Sequence, residues 1–197
     1  MGDVVNSDSK NSEVVTNFMK QLCKDYKVFY SLGNSDVDYI SQGTSDLIKD
    51  LKNEGVTVLD NEYEDINIKG DIIRIGGMYD YAFGLKNNNV NDMRQKSIYD
   101  FLCDFENTNN YKSMMAHRPD SFIFNNATKD WDIDLVVSGH THGGQVVIPF
   151  IGGLYVADQG WFPKYDKGLF DFDDTKILIT RGLGASKQIL PRFNNTP

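Results

Sequence analysis

The chain has 197 residues, 40% of them hydrophobic, and a formal net charge of −8. That length suits one domain with a substantial core, and an acidic chain with no basic run is a poor stable partner for nucleic acid. No apolar run approaches the roughly 20 residues of a membrane span. The cysteines, Cys23 and Cys103, stand far apart without a CxxC and read as core thiols.

In chain order, Ser12 or Asn11 caps a helix with the stripe Val14-Val15, Phe18-Met19, Leu22-Cys23, recurring every fourth residue. Residues 28–32 read as a strand running into Gly33-Asn34-Ser35-Asp36. Thr44 or Ser45 caps a second helix with Leu47, Ile48 and Leu51 inward and Gly55 past its end. Residues 56–59, 66–68 and 72–75 read as strands, the last two joined through Lys69-Gly70-Asp71 as a hairpin. After the polar loop Asn87-Asn88-Asn89, Asn91 or Asp92 starts a helix that ends near Phe105. Residues 113–116, 135–137, 145–148, 168–172 and 176–180 complete the strands, the last pair turning at Asp173-Asp174. The alternation is that of an α/β fold, with both crossovers and hairpins.

The three histidines carry the chemistry. His117 follows Met114-Met115-Ala116, and Leu135-Val136-Val137-Ser138-Gly139 leads to His140-Thr141-His142-Gly143-Gly144. A β-branched run reads as a buried strand, and the Ser-Gly step ends it. Beyond it, imidazoles at alternate positions point to one side, beside a backbone kept thin by two glycines. A lone His-x-His in a loop is ordinarily solvated surface. Here, however, the pattern repeats, since strand-like runs also abut Gly2-Asp3 and Asn34. Ligands of open α/β sheets collect beyond the carboxyl ends of the strands, and Asp, Asn and His suit a divalent ion without thiolates.

In their order, Gly2-Asp3, Gly33-Asn34-Ser35-Asp36, His117 and Gly139-His140-Thr141-His142 resemble the motifs of the calcineurin-like metallophosphoesterases. Gly143-Gly144-Gln145, Pro149-Phe150 and the run from Thr180 to Ser186 resemble its bacterial, envelope-associated branch. The resemblance implies a single domain over residues 1–197, built as two packed mixed β-sheets flanked by helices in a four-layer sandwich. It implies a two-metal cluster of manganese, iron or zinc, with Asp3 bridging the ions. Asn34, His117 and His140 would complete one site, and His142 would belong to the other. These residues would hydrolyse a phosphomonoester, phosphodiester or pyrophosphate through a metal-bound hydroxide. A small phosphorylated substrate is implied, with one at a membrane surface or envelope included, and a cytoplasmic or envelope-associated location.

Two departures from the family pattern stand out. The family's Asp-x-His motif, with the strand that carries it, is missing ahead of Gly2-Asp3, so the chain reads as an N-terminally truncated piece. One site then keeps only Asp3 and His142, and one ion per chain, rather than two, is expected. Ser35 stands where the family has the histidine that assists the leaving group, and a hydroxyl is no general acid near neutral pH. The alternative is therefore a catalytically impaired, single-metal binding remnant. Lesser candidates are Arg181, for a phosphate or a surface ion pair, Asp80, at a strand end facing the site or as a turn aspartate, and Trp161, Phe162 and Tyr165, which line a pocket for an apolar group or pack their loop down. Asp36 reads as a residue that orients its neighbours or caps a turn.

Overall fold

A six-stranded mixed sheet, its inner strands the more apolar and β3 at its edge carrying three carboxylates, stands at the centre of the computed structural model, which describes residues 1–43, 46–85, 93–148 and 150–182. The chain begins with α1 (Glu13–Leu22), β1 (Phe29–Tyr30), α2 (Asn34–Ser41), α3 (Leu47–Asn53) and β2 (Thr57–Val58). Then come β3 (Glu62–Ile68), β4 (Asp71–Met78), α4 (Met93–Glu106), β5 (Tyr111–Ala116), α5 (Asp120–Ile123), α6 (Ala127–Asp130) and β6 (Leu135–Ser138). Four two-residue strands follow, β7 (Val147–Ile148), β8 (Gly152–Gly153), β9 (Tyr155–Val156) and β10 (Gly160–Trp161), before β11 (Gly168–Phe172) and β12 (Thr175–Ile179).

The large sheet has the order β11-β12-β6-β5-β4-β3. Its four inner strands run parallel, so β4, β5, β6 and β12 end on one edge, while β3 and β11 are antiparallel flanks. Register sets Met114 opposite Val136 and Val136 opposite Ile177, which buries all three completely. With Ile98, Leu102 and Phe105 of α4 and Phe122 of α5 they form one core. Burying each such side chain is worth roughly 1.5–3 kcal/mol. A second core lies under β1 and β2, a parallel pair, where Tyr30, Val58, Tyr39 of α2 and Leu47 and Leu51 of α3 meet. The mixed α/β architecture agrees with the sequence reading; beside the large sheet, the described residues form three two-stranded ones, β1–β2, β7–β8 and β9–β10.

Several expectations change in detail. The cap of α3 is Asp46, whose carboxylate accepts the Lys49 N–H at 3.1 Å; Thr44 and Ser45 lie outside the described residues, as do Asn87, Asn88, Asn89, Asn91, Asp92, Pro149 and the run from Leu183 to Ser186. Residues 1–5 form no strand, because Gly2 and Asp3 adopt φ of 58° and 55°. Segment 34–41 is helical, and the strand expected over 145–148 shrinks to two residues behind Gln145, whose φ is 61°. The hairpin turns as read, with both Lys69 (φ 56°) and Gly70 (φ 106°) left-handed, the backbone of a tight two-residue connection. Cys23 and Cys103 are free thiols, each half-buried against one of the two cores.

Candidate metal centre

β5 ends at Ala116 and delivers His117; β6 ends at Ser138, and one glycine later comes His140. Both histidines thus lie past the carboxyl ends of neighbouring parallel strands. Asp3 reaches them from the first segment, which Gly2 ties to the end of β1 by donating its N–H to the Ser31 carbonyl at 2.8 Å. One ligand atom from each of Asp3, His117 and His140 lies within 4.8 Å of the others. Oδ2 of Asp3 is 3.1 Å from Nε2 of His117, and Nδ1 of His140 is 3.2 Å from that same nitrogen.

The outward-facing ring nitrogens meet acceptors. Nδ1–H of His117 donates to the Met1 carbonyl at 3.3 Å, and Nε2–H of His140 donates to Oδ2 of Asp158 at 3.1 Å. With the protons so placed, two imidazole lone pairs and the Asp3 carboxylate point at one another. Acceptors facing acceptors repel, and a divalent cation is the group that this donor set fits. A separate observation agrees. Oδ1 of Asn34 is buried without a hydrogen-bond partner, which costs about 1–3 kcal/mol unless a ligand takes it. Its neighbour Ser35 donates its backbone N–H to Oδ1 of Asp3 at 2.8 Å, so Asn34 sits beside the cluster.

Asp36 holds this corner together, as its expected orienting role requires. Fully buried, its carboxylate accepts the N–H groups of Gly33 and Asp3 at 2.8 Å each, that of Val4 at 3.1 Å, and the hydroxyl of Tyr30. From the third position of α2 it gives the Gly33 N–H the reciprocal half of a capping box. The backbone is strained around this cluster: Asp3 (φ 55°), His140 (φ 62°) and, two residues on, His142 (φ 50°) are all left-handed. That region is uncommon for non-glycine residues, costs roughly 1 kcal/mol each, and clusters at functional sites.

Burial drives the His140 ring down to about 4, and the neighbouring His117 adds to the shift. The ring is therefore neutral at pH 7, the form that binds metal. Arg118, next to His117, lies over the rings of Tyr79 and Tyr81 and donates to the Tyr81 hydroxyl. Asp120 is wholly buried with both oxygens unpartnered, and burial together with nearby Asp158 raises its carboxyl to about 6.

His142 stands outside the three-residue group. Alternate residues share a side only on extended backbone, and the left-handed φ of His140 and His142 breaks that rule. The paired glycines do keep the backbone thin: a Cβ at Gly144 would stand 2.3 Å from Cα of Gly153. Arg181 lies against Gly143, where a Cβ would meet its Cγ at 2.9 Å. Asp80 forms an ion pair with Arg94. Trp161 and Phe162 are exposed, whereas Tyr165 packs on Phe170 and Phe172. Asp158 escaped the sequence reading, since Asp-Gln-Gly between short apolar stretches signals only a turn. A cavity of about 930 Å³ elsewhere is lined by Glu62, Glu64, Asp100 and Asp104 with Lys52, a charge set unsuited to phosphate.

Residues 1–144, which hold every expected ligand, match the family model described as calcineurin-like phosphoesterase. The chain belongs to that family. It is 26% identical over 189 residues to YkuE, an uncharacterised metallophosphoesterase of Bacillus subtilis, covering 94% of this chain and 60% of YkuE. It is 27% identical over 188 residues to the phosphodiesterase YaeI of Escherichia coli, covering 93% of this chain and 62% of YaeI. A shorter match, 36% over 90 residues, covers 43% of this chain and 26% of LpxG, the UDP-2,3-diacylglucosamine pyrophosphatase of Chlamydia muridarum. The chain thus spans about three-fifths of the length of YkuE and YaeI.

Proposed function

We propose that the chain is a metal-dependent phosphoesterase with its centre at Asp3, Asn34, His117 and His140. The observation that carries this is the convergence of two imidazole lone pairs and a carboxylate, with the orphaned Asn34 oxygen alongside. A divalent ion there supplies Lewis acidity and positive charge toward a phosphoryl oxygen. Around it the chain's own groups divide the work. Asp36 holds the Asp3 backbone and the Ser35 N–H fixes its carboxylate, and the neutral His140 ring needs no deprotonation to act as a ligand. Arg118 adds a fixed positive charge beside His117, which favours an anionic substrate on a chain of net charge −8.

We infer further that the substrate joins its phosphate to an apolar part. Phe150 is fully exposed in the turn between β7 and β8, and Trp161, which is 68% exposed, stacks edge-on with Tyr155 at 5.3 Å. The β9–β10 ribbon that carries Trp161 also carries Asp158, which touches His140, so the aromatic tip is close along the chain to the centre. Exposed aromatics in a group suit contact with an apolar partner or a membrane surface. The diacyl substrate in the name of the LpxG relative supports this reading.

The test is hydrolysis of bis-p-nitrophenyl phosphate and of a long-chain phospholipid phosphate in mixed micelles, with manganese added to metal-free protein. Metal-dependent turnover abolished by His140→Ala is expected, with Trp161→Ser raising KM for the long-chain substrate alone. Turnover indifferent to chelator and to His140→Ala would overturn the proposal. A second reading, a single-ion binding module without turnover, is favoured by Ser35 and by the place of His142 outside the group. It predicts manganese binding with no hydrolysis of either substrate.

A further inference from the structure

We propose that Asp158 is a positioning residue: by accepting Nε2–H of His140 it keeps the Nδ1 lone pair aimed at the metal centre. The inference rests on the reading of His140 as a ligand. A neutral imidazole has one proton and two nitrogens, so the nitrogen that donates fixes the one that can ligate. His140 Nε2 has Asp158 at 3.1 Å, while Nδ1 faces Nε2 of His117 at 3.2 Å, on the side where Asp3 stands. Met1 serves His117 in the same way, but with a backbone carbonyl; only the His140 acceptor is a side chain that substitution can remove.

Asp158 is itself held in place. It lies in the turn joining β9 to β10, which closes through the Gln159 N–H on the Val156 carbonyl at 3.2 Å. The Gln159 amide then clamps Tyr165 at two points: Nε2 donates to its carbonyl at 3.0 Å, and Oε1 accepts its N–H at 3.1 Å. The Tyr165 ring rests on Phe170 and Phe172 of β11, at centroid distances of 5.1 and 5.2 Å. A continuous chain of contacts therefore runs from the flank of the large sheet through Tyr165, Gln159 and Asp158 to His140. An acceptor clamped in this way pre-orients the ligand, and partners of metal-binding histidines are typically worth about 10–100-fold in affinity.

The experiment titrates manganese and zinc into metal-free protein, intact and with Asp158→Ala, Asp158→Asn, Asp158→Glu, Gln159→Ala and, as a surface control, Asp171→Asn. Asp158→Ala should weaken binding about 10–100-fold while leaving the saturating stoichiometry unchanged. Asn, an acceptor without the charge, should lose less, Glu should restore most of the affinity, and Gln159→Ala should fall between. Asp171→Asn should change nothing. Nitrogen-15 resonances of His140 in the metal-free protein should show a settled Nε2–H form, with the two ring shifts converging in Asp158→Ala. Full affinity in a folded Asp158→Ala protein overturns the inference, and so does a loss of metal-free thermal stability that accounts for the whole effect. Failure of the intact chain to bind either metal would instead sink the reading of the centre itself.

Discussion

A methyl group on Gly33 would stand 2.2 Å from Oδ1 of Asp3 and 2.5 Å from its backbone nitrogen. Gly33 has φ −111°, so the requirement for glycine here is one of space and not of backbone conformation. It is the close approach of two loops that sets Asp3 against His117. Gly33→Ala should push the Asp3 carboxylate off its position and cost roughly 1–3 kcal/mol through overpacking. Manganese titration with thermal denaturation checks this, and a Gly33→Ala protein of unchanged affinity would show that Asp3 is not tied to that contact.

Metal content follows from the same geometry. Three ligand atoms converge, Asn34 stands by, and His142 is outside the group. About one tightly held divalent ion per chain is expected after extensive dialysis, measured by elemental analysis; two ions would show that a second site assembles around His142. His140→Ala and Asn34→Ala should remove that ion with little effect on the metal-free fold. Val136→Asp should unfold the chain, because Val136 is fully buried in the middle of the sheet, where an unpaired charge costs several kcal/mol.

Asp120 makes the metal-free protein less stable as pH rises. Its folded value, about 6, lies above the ordinary 3.8. Below about pH 4 the carboxyl is protonated whether the chain is folded or not. Between about 4 and 6 the unfolded chain loses the proton and the folded one keeps it, so stability falls through that window and then levels off. Two pH units at about 1.4 kcal/mol each give on the order of 3 kcal/mol. Asp120→Asn should therefore raise the melting temperature at pH 7.5, with the gain shrinking towards pH 4. An equal gain at both values would mean that packing, and not charge, is responsible.

Much of this centre was legible because strand ends announce themselves. The runs before His117 and His140 are apolar and β-branched, and the parallel sheet places their ends side by side. Asp36 was legible in role, three residues past Gly33 at a turn. What escaped has physical reasons. α2 interleaves Val37, Tyr39 and Ile40 with Asp36 and Asp38, so its apolar stripe is too thin to announce a helix. The strands from β7 to β10 have two residues each, below any periodic signal. His140 and His142 were expected on one side by extended-strand spacing, which left-handed backbone cancels. Asp158 meets His140 through space across 18 residues, and nothing in the local pattern of either residue records it.

The last prediction concerns the leaving group. Ser35 lies at the second position of α2, its backbone N–H on Asp3, so its side chain starts beside the centre. A hydroxyl there can hydrogen-bond to a departing oxygen but cannot hand it a proton near neutral pH. General acid assistance is typically worth about 10²–10⁴-fold, and its lack matters only where the leaving group is a poor one. Hydrolysis of alkyl phosphodiesters should thus be far slower than that of bis-p-nitrophenyl phosphate, whose nitrophenolate leaves unaided. Ser35→His should raise the alkyl rate about tenfold or more, leave the nitrophenyl rate nearly unchanged, and give the alkyl reaction a pH profile that falls as the new imidazole loses its proton. A uniform increase on both substrates would place the effect in metal or substrate binding and not in proton transfer.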